Sequence, residues 1–121
     1  ALAPQMPEIK AEQYTLEFAN RDTWNTGLDD DARKGFQVLK LFKEHGFEGE
    51  IGIGVSDVHV NEIESPELIR DRILYAAKAL GDPTKVYVNP DCGLRTRTRE
   101  VSFDKIRTMV KGAELAREEI E

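Results

Sequence analysis

Three short apolar runs alternate along the chain with three longer segments whose apolar residues recur at helical spacing. The runs are Tyr14–Phe18, Ile51–Val55, which continues toward Val60, and Val86–Val88. Their starts lie about 36 residues apart, which is close to the length of one strand-helix unit. Alternation at this spacing predicts parallel strands joined by helical crossovers, in the order β-α-β-α-β-α.

The first and third helices are predicted mainly from the periodicity. The first covers about residues 31–45, after the acidic residues Asp29–Asp31, and ends at Gly46. The third is predicted to open at Ser102. Its inward-facing residues are expected to be Phe103, Ile106, Val110 and Ala113.

The second helix carries start and stop signals as well as periodicity. Ser65 is the predicted N-cap, Pro66 takes the first helical position, and Gly81 with Pro83 ends the helix. Its predicted buried face comprises Leu68, Ile69, Ile73, Ala76, Ala77 and Leu80.

Three strands are too few to close a barrel, and an open parallel sheet leaves two edges to be covered. We therefore assign the chain to the α/β class. Residues 1–121 are interpreted as one partial domain of a larger (β/α) fold, with residues 1–12 as a connector. The alternative is a small open sheet that dimerises.

Composition and charge exclude several classes of protein. The 121 residues are 40% hydrophobic and 33% charged, which is typical of a globular chain. The net charge of -6 argues against binding to nucleic acid or to an anionic membrane surface. No apolar stretch is long enough to span a membrane, and no secretory signal pattern opens the sequence. The single cysteine cannot form an internal disulfide, so a cytoplasmic location is expected.

Polar residues follow each of the three predicted strands. In chain order they are Glu17, Asn20 and Arg21, then Asp57 and His59, and then Asn89, Asp91 and Cys92. Because active sites of parallel α/β folds lie at the carboxyl ends of the strands, this coincidence predicts a functional site there.

Two of these groups have alternative interpretations. Cys92 is either a metal ligand or nucleophile, or a small buried residue. If the second strand continues, alternation places Asp57 and His59 on the same side, where Asp57 could orient the imidazole for proton transfer. The alternative is a histidine that is hydrogen-bonded in a loop.

Glu17 interrupts an apolar strand, which is unfavourable unless the carboxylate is paired or functional. Arg21 is a candidate ion-pair partner, and a contact of either residue with a substrate fits equally well. Three further arginines, Arg95, Arg97 and Arg99, form either an anion site or a solvated loop. Gly52 and Gly54 lack the rest of a dinucleotide fingerprint and indicate close packing or the approach of a ligand.

A zinc site needs three or four protein ligands. The chain supplies Cys92 and at most His59 and a carboxylate, and it contains no Cys-x-x-Cys or His-x-Cys pair. If Cys92 binds zinc, further ligands must come from elsewhere.

Three segments together resemble one known family. Residues 89–94, Asn-Pro-Asp-Cys-Gly-Leu, followed by Arg-Thr-Arg, resemble the C-terminal signature of cobalamin-independent methionine synthase. Residues 51–59 are similar to that family's preceding strand and loop, including its Asp-x-His, and residues 16–21 are similar more loosely. The resemblance spans about residues 13–120.

The resemblance implies a fold, a cofactor and a reaction. The family's catalytic domain is a (β/α)8 barrel, and this chain matches its last three βα units. Cys92 would be a ligand of a zinc ion that binds homocysteine as a thiolate, which then attacks the methyl group of 5-methyltetrahydrofolate or another methyl donor. His59, backed by Asp57, would assist proton transfer. From their place after the first strand, we also predict that Glu17, Asn20 and Arg21 contact the substrate.

The resemblance also implies what the chain lacks. The family's His-x-Cys pair and its further glutamate ligand are expected to lie earlier in the barrel, so the zinc site would be incomplete here. The expected partners are the rest of the barrel or a second copy. The isolated chain is expected to be inactive and to bind zinc weakly.

Three other functions remain open. A related zinc enzyme, such as the epoxyalkane–coenzyme M transferase, would use a different thiol. A non-catalytic assembly module would use its sheet edges. A cysteine hydrolase would use Cys92 and His59, although no oxyanion-hole arrangement is evident.

Overall fold

The computed structural model describes residues 13–94 and 97–120, and its strands form a three-stranded parallel sheet. The strands are β1 (Gln13–Glu17), β2 (Glu50–Ser56) and β3 (Val86–Pro90), with β2 in the centre. The helices are α1 (Leu39–Glu44), α2 (Pro66–Leu80) and α3 (Arg99–Ile120). Within the described ranges, none is both long and apolar enough to cross a membrane. The predicted α/β class and element order are confirmed, whereas the predicted connector at 1–12 lies outside the described residues.

The two faces of the sheet differ in what covers them. Leu16, Ile53 and Val88 lie in one row across the strands, and Glu17, Gly54 and Asn89 lie in the next row on the opposite face. The first face packs on the helices and forms the core. The opposite face is more exposed, and it carries Glu17 toward the carboxyl ends of the strands.

Helix α2 begins and ends at the residues that the sequence predicted. The hydroxyl of Ser65 accepts a hydrogen bond from the backbone N–H of Leu68 at 3.1 Å. Gly81 ends the helix with a φ of 80°, which a residue with a side chain rarely adopts. All six residues predicted for its inner face are buried: Leu68, Ile69, Ile73, Ala76, Ala77 and Leu80.

The first helix is shorter than predicted. Instead of residues 31–45, α1 covers only Leu39–Glu44, and a single 3-10 turn at Lys34–Phe36 precedes it. The backbone N–H of Gly35 donates to the Asp22 carboxylate at 3.1 Å, and a Cβ on Gly35 would lie only 2.8 Å from the Asp22 Cα. This contact holds the first half of the predicted helix in an irregular path.

The third helix begins earlier than predicted. It starts at Arg99 rather than Ser102, because the hydroxyl of Thr98 accepts a hydrogen bond from the N–H of Val101 at 3.2 Å.

The apolar face predicted for α3 does not face this chain. Phe103 is 60% exposed, Ile106 45% and Val110 52%, while Ala113 is half-buried. The helix instead packs through Gly112, where an added Cβ would collide with the Ile69 side chain on α2. Periodicity identified an apolar stripe correctly but could not show that close packing with α2 requires small residues. Within the described part of the chain the stripe stays exposed, and the Phe103 ring lies 4.9 Å from the Arg107 guanidinium of the same helix.

Candidate metal centre

Three potential metal ligands meet where the strands end. The ligand atoms of Glu17, His59 and Cys92 all lie within 4.8 Å of one another. His59 Nε2 is 3.2 Å from Glu17 Oε1. Glu17 ends β1, His59 lies in the turn after β2, and Cys92 follows β3. Parallel strands bring these residues together although Glu17 and His59 are 42 positions apart.

The donor set fits a zinc ion. A carboxylate oxygen, an imidazole nitrogen and a thiolate sulfur are each common zinc ligands, so two or all three of these side chains can hold the ion. Sequence analysis placed Glu17 with the substrate contacts and expected the glutamate ligand elsewhere. The structure makes Glu17 a candidate metal ligand as well, and its contact with the substrate stays a prediction.

The surroundings of Cys92 keep its thiol protonated when no cation is present. Its side chain is exposed at the surface, yet neighbouring atoms remove part of its water shell, and this desolvation raises the pKa of the thiol. The charges of Glu17 and Asp91 raise the pKa further. A bound divalent cation would favour the thiolate instead. Ionisation of the Cys92 thiol to the thiolate therefore depends on a bound metal.

Asp91 ties the end of β3 to the chain that follows β1. Its buried carboxylate accepts backbone N–H bonds from Phe18 at 3.1 Å, Ala19 at 3.0 Å and Asn20 at 2.8 Å. Burial raises its pKa to about 6, although the three N–H donors oppose this shift. Cys92 is the next residue, so these bonds hold the cysteine turn over the end of β1.

Gly54 provides the space that Asp91 occupies. A Cβ built on Gly54 would overlap the Asp91 carboxylate and would lie 3.0 Å from the Leu16 carbonyl oxygen. The interpretation of this glycine as a site of close packing is confirmed.

The structure places Asp57 and His59 in the turn after β2 rather than on a continuing strand. Asp57 Oδ1 accepts a hydrogen bond from the backbone N–H of His59 at 2.9 Å, and the imidazole faces Glu17. Strand β2 ends at Ser56, so the alternation that would have placed both side chains on one side no longer applies. Asp57 shapes the turn that presents the histidine.

The expected pairing of Glu17 with Arg21 is also replaced. Asn20 and Arg21 lie in a 3-10 turn after β1, and both side chains are exposed. Within the described part of the chain, the ion pairs include Glu17 with His59 but none between Glu17 and Arg21.

Of the three arginines interpreted as either an anion site or a solvated loop, the structure describes Arg97 and Arg99. Arg97 Nη1 donates to Asn61 Oδ1 at 2.9 Å, which links the cysteine loop to the histidine loop. Arg99 is exposed in the first turn of α3, and Arg95 lies outside the described residues.

The sequence of the chain matches a known protein family. Residues 27–115 match the family described as "Cobalamin-independent synthase, Catalytic domain".

The chain belongs to the cobalamin-independent methionine synthase family.

Several relatives support this membership in the methionine synthase family. Methionine synthase of Thermoplasma acidophilum is 51% identical over 113 residues, covering 90% of this chain and 33% of the relative. That of Saccharolobus solfataricus is 33% identical over 121 residues, covering 98% and 32%. This chain therefore spans about a third of the length of these relatives.

A solved structure shows the fold similarity. A B12-independent methionine synthase from Shewanella sp. W3-18-1, in complex with selenomethionine, superposes with a TM-score of 0.77 at 23% identity. The match covers 98% of this chain and 30% of that one. The arrangement of strands and helices in this methionine synthase family member is thus shared with part of that solved structure.

Sequence reasoning gave no role to a group of buried charges beneath the metal centre. The side chains of Asp22, Arg33, Glu64, Arg72 and Lys105 are all inaccessible to solvent and form ion pairs. A signal was present in the sequence, because Arg72 lies between buried positions of α2. A charge at such a position requires a partner.

Proposed function

We propose that this chain forms part of a zinc-dependent methyltransferase that methylates a thiol, converting homocysteine to methionine. The observation that carries the proposal is the meeting of Glu17, His59 and Cys92 in a member of the methionine synthase family. The methyl donor is 5-methyltetrahydrofolate or another methylated compound. A free thiol ligand requires a reducing compartment, and we propose the cytoplasm.

We further propose that the chain supplies the last three βα units of a (β/α)8 barrel. The sheet face that carries Glu17 and Tyr87 is open to solvent, as the interior face of an incomplete barrel would be. The exposed stripe Phe103, Ile106 and Val110 on α3 would pack against a preceding helical unit. The rest of the barrel would supply further zinc ligands.

Each residue of the metal centre has a distinct role in this proposal. Cys92 and Glu17 would hold the zinc ion, which when bound supplies a Lewis acid that lowers the pKa of a thiol substrate. His59 Nε2 lies beside Glu17 and would accept the proton that leaves the substrate sulfur. The sulfur then forms its bond to the methyl group as the donor's bond to that group breaks. Asp57 and Asp91 hold the turns that carry His59 and Cys92.

Metal analysis of single variants in the natural protein tests these roles. Cys92→Ser and Glu17→Gln should lower zinc affinity by at least about tenfold, because each removes or weakens a ligand. His59→Gln should keep zinc but lose most methyl transfer. The matched control is His45→Gln, which changes an exposed histidine at the end of α1. It should alter neither zinc binding nor methyl transfer. Full zinc retention by Cys92→Ser would rule out the proposed site.

Two further measurements define the limits of the proposal. The 121-residue chain alone should bind zinc more weakly than the natural protein and show no methyl transfer, because further ligands are expected from the rest of the barrel. Nanomolar, stoichiometric zinc in equilibrium dialysis of the chain would contradict this. Assays of the natural protein with homocysteine against coenzyme M distinguish the two acceptor thiols. If the chain were instead a non-catalytic assembly module, Cys92→Ala would leave its function intact.

A further inference from the structure

We propose that Glu64 is a positioning residue for His59, and that it acts through the backbone of the turn at residues 57–59. The inference rests on the proposed function only for what His59 does in the reaction. The position of His59 can be measured without that reaction.

Two consecutive hydrogen bonds connect Glu64 to His59. The backbone N–H of Asp57 donates to Glu64 Oε2 at 2.7 Å. The carboxylate of Asp57 then accepts from the backbone N–H of His59 at 2.9 Å. The His59 ring ends this series 3.2 Å from Glu17. A shift of Glu64 would therefore move the turn that presents the imidazole to the metal centre.

Glu64 is itself fixed by buried cations from two helices. Its side chain is inaccessible to solvent and is paired with Arg72 Nη1 at 3.0 Å and Lys105 Nζ at 3.4 Å. Arg72 also donates to the Val55 carbonyl at 2.8 Å and to Asp22 at 2.9 Å. Moving the carboxylate would remove the anionic partner of buried Lys105 and one of the two carboxylates that pair with Arg72, which is strongly unfavourable.

The backbone around Glu64 is held by the same cations. Lys105 Nζ donates to the carbonyl of Glu62 at 2.7 Å, so α3 fixes the loop on the side of the turn away from β2. The hydroxyl of Ser56, at the end of β2, lies 3.4 Å from Glu64 Oε1. The loop between His59 and α2 is thus attached to both α2 and α3.

Stability alone does not account for this arrangement. Replacing a buried ion pair or triad by well-packed apolar residues of similar volume often leaves stability unchanged or raises it. What an apolar cluster could not do is accept the Asp57 N–H and so set the conformation of the turn. The buried ion pairs around Glu64 therefore serve to position the His59 turn more than to stabilise the fold.

A matched pair of variants isolates the hydrogen bond from the charge. In a Lys105→Met background, Glu64→Gln keeps a carbonyl oxygen that can accept the Asp57 N–H, and Glu64→Met removes it with little change in size. The test uses the natural protein that contains this chain, metal-free and labelled with ¹⁵N in its histidine rings. We expect Glu64→Met, but not Glu64→Gln, to shift or broaden the His59 ring signals while leaving those of His45 unchanged. Identical His59 signals in the two variants would overturn the proposal.

A stability control separates positioning from general loosening. Asp71→Asn alters another buried carboxylate, which accepts the Gly27 N–H at 2.8 Å away from the His59 turn. It should lower the melting temperature and leave the His59 ring signals in place. If Asp71→Asn disturbs His59 as much as Glu64→Met does, the proposal fails.

The wild-type protein provides a measurement that does not depend on a variant folding. The Asp57 amide should exchange with solvent deuterium more slowly than the exposed backbone amides of the same loop. Exchange as fast as that of an exposed amide would show that Glu64 does not hold it and would overturn the proposal.

Methyl transfer gives the functional readout. Relative to Glu64→Gln, Glu64→Met should lower kcat by about tenfold or more at unchanged zinc content. In a His59→Gln background, Glu64→Met and Glu64→Gln should have the same kcat, because Glu64 affects the reaction only through His59. Equal losses in both backgrounds would assign Glu64 a purely structural role. If the natural protein transfers no methyl group at all, the proposed function fails, and the ring signals still decide the position of His59.

Discussion

The carboxylate of Asp91 occupies the space in which a side chain on Gly54 would begin. A Gly54→Ala change should therefore push the carboxylate away from its three backbone donors. We expect a loss of about 1–3 kcal/mol in the free energy of unfolding, as for other overpacked sites. Urea unfolding of the two proteins measures it.

Gly93→Ala is the matched control for this change. An added Cβ at Gly93 meets nothing within 4 Å, so its effect should be within about 0.5 kcal/mol. Equal stability of the Gly54 and Gly93 variants would show that Asp91 relaxes without cost.

The same carboxylate should give the chain a measurable dependence of stability on pH. Burial raises the pKa of Asp91 to about 6 in the folded chain, above its ordinary value of 3.8. The folded state therefore binds this proton more tightly, and the associated stability is complete below about pH 4 and lost as the pH rises through 6. Relative to Asp91→Asn, wild type should lose about 2–3 kcal/mol over that range. Unfolding free energies at pH 4 and 7 test this, and a constant difference between the two proteins would contradict it.

Alkylation of Cys92 should report the charge of Glu17. Desolvation, followed by the Glu17 carboxylate, raises the pKa of the thiol, so the metal-free chain should react slowly with iodoacetamide at neutral pH. The midpoint of the rate against pH should lie above that of a free cysteine and fall in Glu17→Gln. Glu118→Gln, near the end of α3, is the control and should leave the midpoint unchanged. A midpoint unaffected by Glu17→Gln would place the carboxylate too far from the sulfur.

The exposed stripe on α3 should matter only when the rest of the barrel is present. Val110→Ser changes a side chain that is 52% exposed, so the unfolding free energy of the 121-residue chain should change by no more than about 0.5 kcal/mol. In the natural protein the same change should cost at least about 1 kcal/mol, because the valine would be buried there. Similar effects in both contexts would argue against the barrel proposal. Glu114→Ser, an exposed change one turn further along, is the control.

The fold was predictable where local chemistry decided it. Helix α2 has a capping serine, a proline at its first position and a terminal glycine, and all three act as the sequence indicated. Helix α1 was overestimated because its first half is held by Asp22, a residue well outside the predicted helix. Tertiary contacts of this kind leave no trace in a periodic pattern.

The metal centre was predictable in location but not in its pairings. Strand ends converge in any parallel sheet, so the presence of Glu17, His59 and Cys92 at one edge followed from the sequence. Their mutual distances did not, since these depend on the turn after Ser56 and on the reach of Asp91. The sequence therefore did not show that the Glu17 oxygen lies among the candidate ligand atoms.

The hydrogen bonds of Asp91 also bear on the curvature of the sheet. Strands β1 and β3 are not neighbours, because β2 lies between them, and adjacent strands are about 4.8 Å apart. Asp91 nevertheless reaches from the end of β3 to the N–H groups after β1, and it crosses the central strand at Gly54. One carboxylate thus links the end of β3 to the segment that follows β1. In the barrel proposed above, this link would favour the curvature that a closed ring of strands requires.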